Sequence, residues 1–112
     1  MSVAFNGFNE NVATFEAATG VTPGKPVTMS ANNKVQAVTS GTFCGICTNV
    51  RQGYAGVQLK GFVTVAYTGS VSVGYQKLVA ASGGKVTVDT NNGREYLVVE
   101  VNSTAGTIGF ML

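Results

Sequence analysis

Cys44-Gly45-Ile46-Cys47 is the stretch whose residue types and spacing first suggest chemistry, since a Cys-x-x-Cys pair serves thiol exchange or holds half a zinc site. Structural zinc takes four ligands, and the chain has no His and only these two Cys. A redox pair of the thioredoxin type sits at a helix N-terminus, whose dipole lowers the thiol pKa. Here the pair falls in a stretch that reads as strand, where residues three apart point to opposite faces. Both cysteines are therefore expected to be small residues filling strand positions, with no metal and no cofactor. Without His, Ser–His–Asp and Cys–His machinery is excluded too. A general acid–base couple would need two of Glu10, Glu16, Asp89, Glu95 and Glu100, and nothing in their spacing pairs them. Catalysis is not expected. Two weaker constellations remain. Tyr54, Tyr67, Tyr75 and Tyr96 suit either stacking on sugars or the rim of a core. Arg51, Lys60 and Lys77 suit either an acidic partner or plain solvation.

The elements that position these residues follow from composition. Of 112 residues, 11% are charged and 45% are hydrophobic, with a formal net charge of +2. That balance excludes a disordered chain. The seven Lys and Arg are scattered, unlike the clustered footprint that phosphate recognition needs. Eighteen Val, thirteen Thr and fifteen Gly against four Leu favour pleated sheet and tight turns over helix. No apolar run approaches the roughly 20 residues of a membrane helix. The start, Met1-Ser2-Val3-Ala4-Phe5-Asn6, has no basic and apolar leader pattern, and two closely spaced cysteines fit a reducing compartment.

The chain then divides. Residues 1–19 hold Phe5, Phe8 and Phe15 interleaved with Asn6, Asn9 and Asn11, without a sustained helical period. Val12–Glu16 reads as a short strand. The segment is expected as an extended arm lying on another surface, the plain alternative being that its phenylalanines plug one end of the core. From Gly20 onward, turn signals arrive every eight to twelve residues, the rhythm of a small barrel or sandwich. Strands are expected at Pro26–Ser30, Lys34–Thr39, Thr42–Val50, Ala55–Tyr67, Gln76–Ala80, Lys85–Asp89, Tyr96–Val101 and Thr107–Leu112. Ala55–Tyr67 is the longest, with Val57, Leu59, Val63, Val65 and Tyr67 on one parity and Gly61 marking a bend or bulge. The expected fold is all-β: a small compact barrel or sandwich of short antiparallel strands over residues 20–112, preceded by the arm. A charge-poor domain of this kind suits an interface with another protein.

Ala18-Thr19-Gly20-Val21-Thr22-Pro23-Gly24-Lys25-Pro26-Val27-Thr28, followed by Val35-Gln36-Ala37-Val38, resembles the small head decoration proteins of tailed bacteriophages, also called capsid cement proteins. The likeness continues through Phe43-Cys44-Gly45-Ile46-Cys47 and Val57-Gln58-Leu59-Lys60-Gly61-Phe62-Val63-Thr64-Val65. It ends at Leu97-Val98-Val99-Glu100-Val101 and Ala105-Gly106-Thr107-Ile108-Gly109-Phe110-Met111-Leu112. Cys44 and Cys47 depart from the small apolar residues expected there. The resemblance implies a non-enzymatic virion protein, made in the host cytoplasm and bound to the outer surface of the expanded capsid. There it clamps major capsid protein subunits as a homotrimer or dimer. It further implies that the N-terminal segment adds a strand to the capsid lattice, through Phe5, Phe8, Val12, Thr14 and Phe15. Neither nucleic acid nor membrane is an expected partner. The alternative is a glycan-binding module attaching to a cell wall or host surface through its tyrosines.

Overall fold

The computed structural model describes residues 11–112. Ten strands follow one another: β1 Asn11–Ala17, β2 Pro26–Ala31, β3 Lys34–Ala37, β4 Gly45–Arg51, β5 Tyr54–Lys60, β6 Phe62–Ala66, β7 Gly74–Ala81, β8 Lys85–Val88, β9 Arg94–Asn102 and β10 Thr107–Met111. No helix occurs among the described residues. The protein is all-β. Its strands form two sheets: a closed five-stranded barrel in the order β1-β3-β2-β4-β5, and a five-stranded sheet in the order β6-β10-β9-β7-β8.

An odd ring of strands cannot be antiparallel throughout, because direction would have to alternate around an odd circuit. The barrel solves this with one parallel seam, β1 beside β3, joined at Glu16 with Lys34 and Ala17 with Val35. The second sheet curls toward the same solution. Its two end strands, β6 and β8, meet at a parallel bridge between Tyr67 and Val86.

Both halves have one topology, strand for strand, with β1 to β5 answering to β6 to β10. At the seams, Ala18 N donates to Val35 O at 2.9 Å and Thr68 N to Val86 O at 3.0 Å. Beside them, Ala17 N donates to Gly53 O at 2.9 Å and Tyr67 N to Gly106 O at 3.1 Å. The hairpins share register: Val27 faces Ala37 as Leu78 faces Val88. The halves also share one β-bulge at the same place, besides which the first half has register shifts at Asn11/Val12 and Met29/Ala31. Thr48 is the extra residue between Cys47 and Asn49, and Val99 between Val98 and Glu100. The halves differ where β7 meets β9 over five residue pairs, two residues slid relative to the two-pair contact of β2 with β4.

Each half has its own core. Val21, Val27, Val35, Cys47, Ala55 and Val57 fill the barrel. Val63, Val65, Leu78, Ala80, Val86, Tyr96, Val98, Ile108 and Phe110 fill the second sheet, and Phe43 and Ile46 from the first half join them. The rings of Phe43 and Tyr96 stack at 5.4 Å, and Tyr96 meets Phe110 at 5.3 Å. A fully buried Val or Phe contributes about 1.5–3 kcal/mol, so both clusters are needed for a chain of this size.

Three details differ from the sequence reading. Ala55–Tyr67 is two strands in two sheets, because Gly61 at φ 97° turns the chain out of the barrel. The alternation nevertheless survives the corner, since Val57 enters one core while Val63 and Val65 enter the other. The strand expected from Thr42 begins at Gly45, so Cys44 lies before it. Third, the sheets divide at Gly61, while the boundary expected after residue 19 lies in the connection from β1 to β2. From Asn11 onward, the segment read as an arm is a barrel strand, antiparallel to β5 and parallel to β3.

Candidate functional site

The candidate contact residues separate by parity along β1. Val12 and Thr14 point outward and are exposed, Val12 at 46%. Phe15 points inward, half-buried against the barrel core. Phe5 and Phe8 lie outside the described residues. The edge of β1 is only partly used: Glu16 and Ala17 pair with β3, whereas the register with β5 runs from Asn11 to Glu16. Along Asn11–Phe15 the strand therefore has a pairing partner on the β5 side, and no β3 register pair is present there among the described residues.

Thr14 also borders a surface concavity with Asn49, Arg51, Gln52 and Tyr54, floored by Gly56. Cross-strand register assembles it, because Gly56 stands between Thr14 on β1 and Asn49 on β4, and Tyr54 between Glu16 and Arg51. Glycine at the floor leaves room for Asn49 Oδ1 and Thr48 Oγ1, which a Cβ there would push aside. The hydroxyl of the bulged Thr48 lies 3.1 Å from Gly56 O and 3.3 Å from Asn49 Oδ1, and its one proton is shared between these two acceptors at the rim. Tyr54 is 57% exposed. An aromatic face beside an amide, a guanidinium and a hydroxyl can stack and hydrogen-bond a polar ligand.

The second half repeats this concavity. Thr64, Glu100, Asn102, Ser103 and Thr107 line it, with Gly109 between Thr64 and Glu100 as Gly56 lies between Thr14 and Asn49. A bulge and a glycine at matched positions produce the same hollow twice, with different chemistry: Glu100 for Asn49, and Thr107 for Tyr54.

Cys44 is half-buried and Cys47 buried, and both are free thiols. Burial raises both pKa values above 9.0, against backbone hydrogen bonding that lowers them. Cys47 Sγ donates to Asn49 O at 3.4 Å. Such thiols are poor nucleophiles at neutral pH. Among the described residues no three His, Cys, Asp or Glu side chains come together as a metal site. Tyr67 and Tyr96 pack with the second core, whereas Tyr54 and Tyr75 are exposed, so the four tyrosines do not make one platform.

Asn49 and Gln52 are site residues that the sequence reading did not single out. No spacing announces them, since Val50, three residues after buried Cys47, is itself 40% exposed. No protein-family model and no curated protein matches this chain.

Proposed function

We propose that this protein is a non-enzymatic head decoration protein, which binds the outside of a tailed-phage capsid and cements the expanded shell. The observation that carries the reading is the partly paired edge of β1. Exposed Val12 and Thr14 flank it, and it continues the phenylalanine-rich N-terminal sequence. An edge of this kind accepts a strand from a neighbouring protein by main-chain hydrogen bonding. The partners are major capsid protein subunits and further copies of the chain, as a homotrimer or dimer. Many copies on a symmetric lattice add modest contacts into a strong clamp. Binding only the expanded state stabilises that state by mass action.

Co-sedimentation with expanded, decoration-free heads, using unexpanded procapsids as control, tests this. Saturable binding to expanded heads alone, at a copy number matching lattice symmetry sites, is expected. Binding to neither shell would overturn the reading.

The exposed Tyr54 ring beside Asn49, Arg51 and Gln52 favours a second reading, a glycan-binding module. Titration with cell-wall saccharides would then give saturable shifts that Tyr54→Ala removes.

A further inference from the structure

The two matching hollows separate what the fold requires from what it does not. Bulge, glycine and threonine are common to both, so these build the shape. The remaining side chains differ by register: Tyr54 answers to Thr107, Arg51 to Asn102, Asn49 to Glu100 and Glu16 to Ala66. The second half forms its hollow with none of the four. Shape alone therefore does not call for an aromatic ring and a cation at the rim of the first. Nor does stability, because an exposed ring and an exposed guanidinium contribute little to it.

Three observations give the first hollow its chemistry. Arg51 lines it without an ion-pair partner among the described residues, and no Asp or Glu shares the lining. Tyr54, largely exposed, stands in register between Glu16 and Arg51, so the carboxylate lies across the ring from the guanidinium. Gln52 takes φ 53° in the turn from β4 to β5, the left-handed region that Gly, Asn or Asp enters more readily. Asn33 fills such a position in the turn from β2 to β3. At Gln52 a strained backbone instead holds a longer amide at the rim of the hollow, and strain of this kind gathers at binding sites. The hollow encloses about 320 Å³, at the small end of the roughly 300–1,000 Å³ of ligand sites.

We infer that the first hollow binds a saccharide bearing a carboxylate. The guanidinium of Arg51 takes the carboxylate through paired N–H donors. The Tyr54 face takes the C–H side of the sugar ring, and the Asn49 and Gln52 amides take its hydroxyls. Glu16 is the carboxylate nearest in register, on the far side of Tyr54, so the acidic group of the ligand lies toward Arg51. The second hollow has Glu100 in place of Asn49 and no cation on its lining, and it repels such a ligand. The inference rests on the glycan-binding reading of this site and names the class of glycan.

Amide NMR titration of the full chain with trigalacturonate, and with galactotriose as its carboxyl-reduced counterpart, is the test. Trigalacturonate is expected to give saturable shifts at Thr14, Asn49, Arg51, Gln52 and Tyr54, and to bind at least about tenfold tighter than galactotriose. Arg51→Gln should abolish that preference with an unchanged circular dichroism spectrum, and Glu16→Gln should strengthen trigalacturonate binding. Gln52→Asn eases the turn, so its urea midpoint should hold or rise while trigalacturonate binding weakens severalfold, a split that a purely structural Gln52 would not produce. Equal or tighter binding of galactotriose would overturn the acidic assignment and leave the glycan reading in place. So would a preference that survives Arg51→Gln, or shifts centred on the second hollow. No saturation by any saccharide, neutral cell-wall fragments included, would overturn the glycan reading and the inference with it.

Discussion

Gly45 and Gly56 lie on neighbouring strands and are both crowded, yet their surroundings give them different tolerances. A Cβ on Gly45 would lie 2.5 Å from the backbone oxygen of Gln58 and 2.7 Å from Val57 Cγ1, neither of which can swing away. A Cβ on Gly56 would meet Asn49 Oδ1 and Thr48 Oγ1, the ends of side chains that can rotate. Gly45→Ala is therefore expected to cost about 1–3 kcal/mol, as overpacking does, and Gly56→Ala clearly less. Urea midpoints of the two variants check the order. Gly56→Ala should instead displace the Asn49 amide and so weaken any ligand that binds in the concavity. Ionisation supplies a second expectation at this scale. Burial raises the pKa of Cys44, Cys47 and Tyr96 above their ordinary values of 9.0, 9.0 and 10.0, with Arg94 partly opposing the rise at Tyr96. The folded state then holds protons that the unfolded chain releases, so stability falls as pH rises through about 9 to 10. Asp89 acts with the opposite sign. Its carboxylate accepts from the Asn92 and Asn91 amides, and its pKa drops below 3.8. Stability present above that value is lost as pH falls through the lowered one. Urea midpoints from pH 3 to pH 10.5 should trace both limbs, and Asp89→Asn should flatten the acid one.

At the scale of elements, β1 decides what an N-terminal truncation does. It closes the barrel between β3 and β5, so a chain starting after Ala17 loses the seam as well as the Phe15 contact with the core. A chain starting at Asn11 keeps both. We expect the shorter truncation to retain the β circular dichroism spectrum and a cooperative urea transition while losing binding to expanded heads, and the longer one to lose the transition. Full shell binding by a chain without residues 1–10 would leave the aromatic N-terminal segment without its proposed role. The contrast also shows what the residues could and could not disclose. Turn residues made most strands legible: Asn33, Gly53 and Gly106 take positive φ at the hairpins between expected strands. Val86 and Val88, two apart in the strand expected at Lys85–Asp89, are in or against the second core. The parallel seam was not legible. It depends on the parity of a ring, a property of five strands together that no local pattern carries. Gly61 was legible as a bend, but a bend within one sheet and a corner between two sheets carry the same glycine. The concavity was hidden for a related reason, because it is built from a bulge at Thr48 that no alternation of buried and exposed residues marks, the residues from Thr48 to Arg51 all being exposed.

The described residues form two copies of one motif, and their interdependence is set by first-half side chains that cross into the second core, Phe43 and Ile46 buried in it and Val38 packed against it. Phe43 and Ile46 precede and begin β4 in the first half, yet both pack in the second core, Phe43 stacked on Tyr96 and edge-on to Phe110 at 6.3 Å. Ala80 N also donates to Gly41 O across the halves at 2.8 Å. The second half by itself would present an open core where these residues belong. It follows that residues 62–112 alone should not fold, whereas mixing them with residues 1–61 should restore β structure by complementation. In the intact chain, Phe43→Ala should cost about 3–5 kcal/mol, the range for removing a buried aromatic ring. That cost should fall on the entire protein. With cooperative halves, exchange protection of the Thr68 amide at the second seam and of the Ala18 amide at the first should report one shared midpoint, lowered equally by the substitution. Two separated midpoints, with the first half unmoved by Phe43→Ala, would instead mean that the halves fold independently and that the joint is only a tether. A shared midpoint would make the joint a structural interface in its own right.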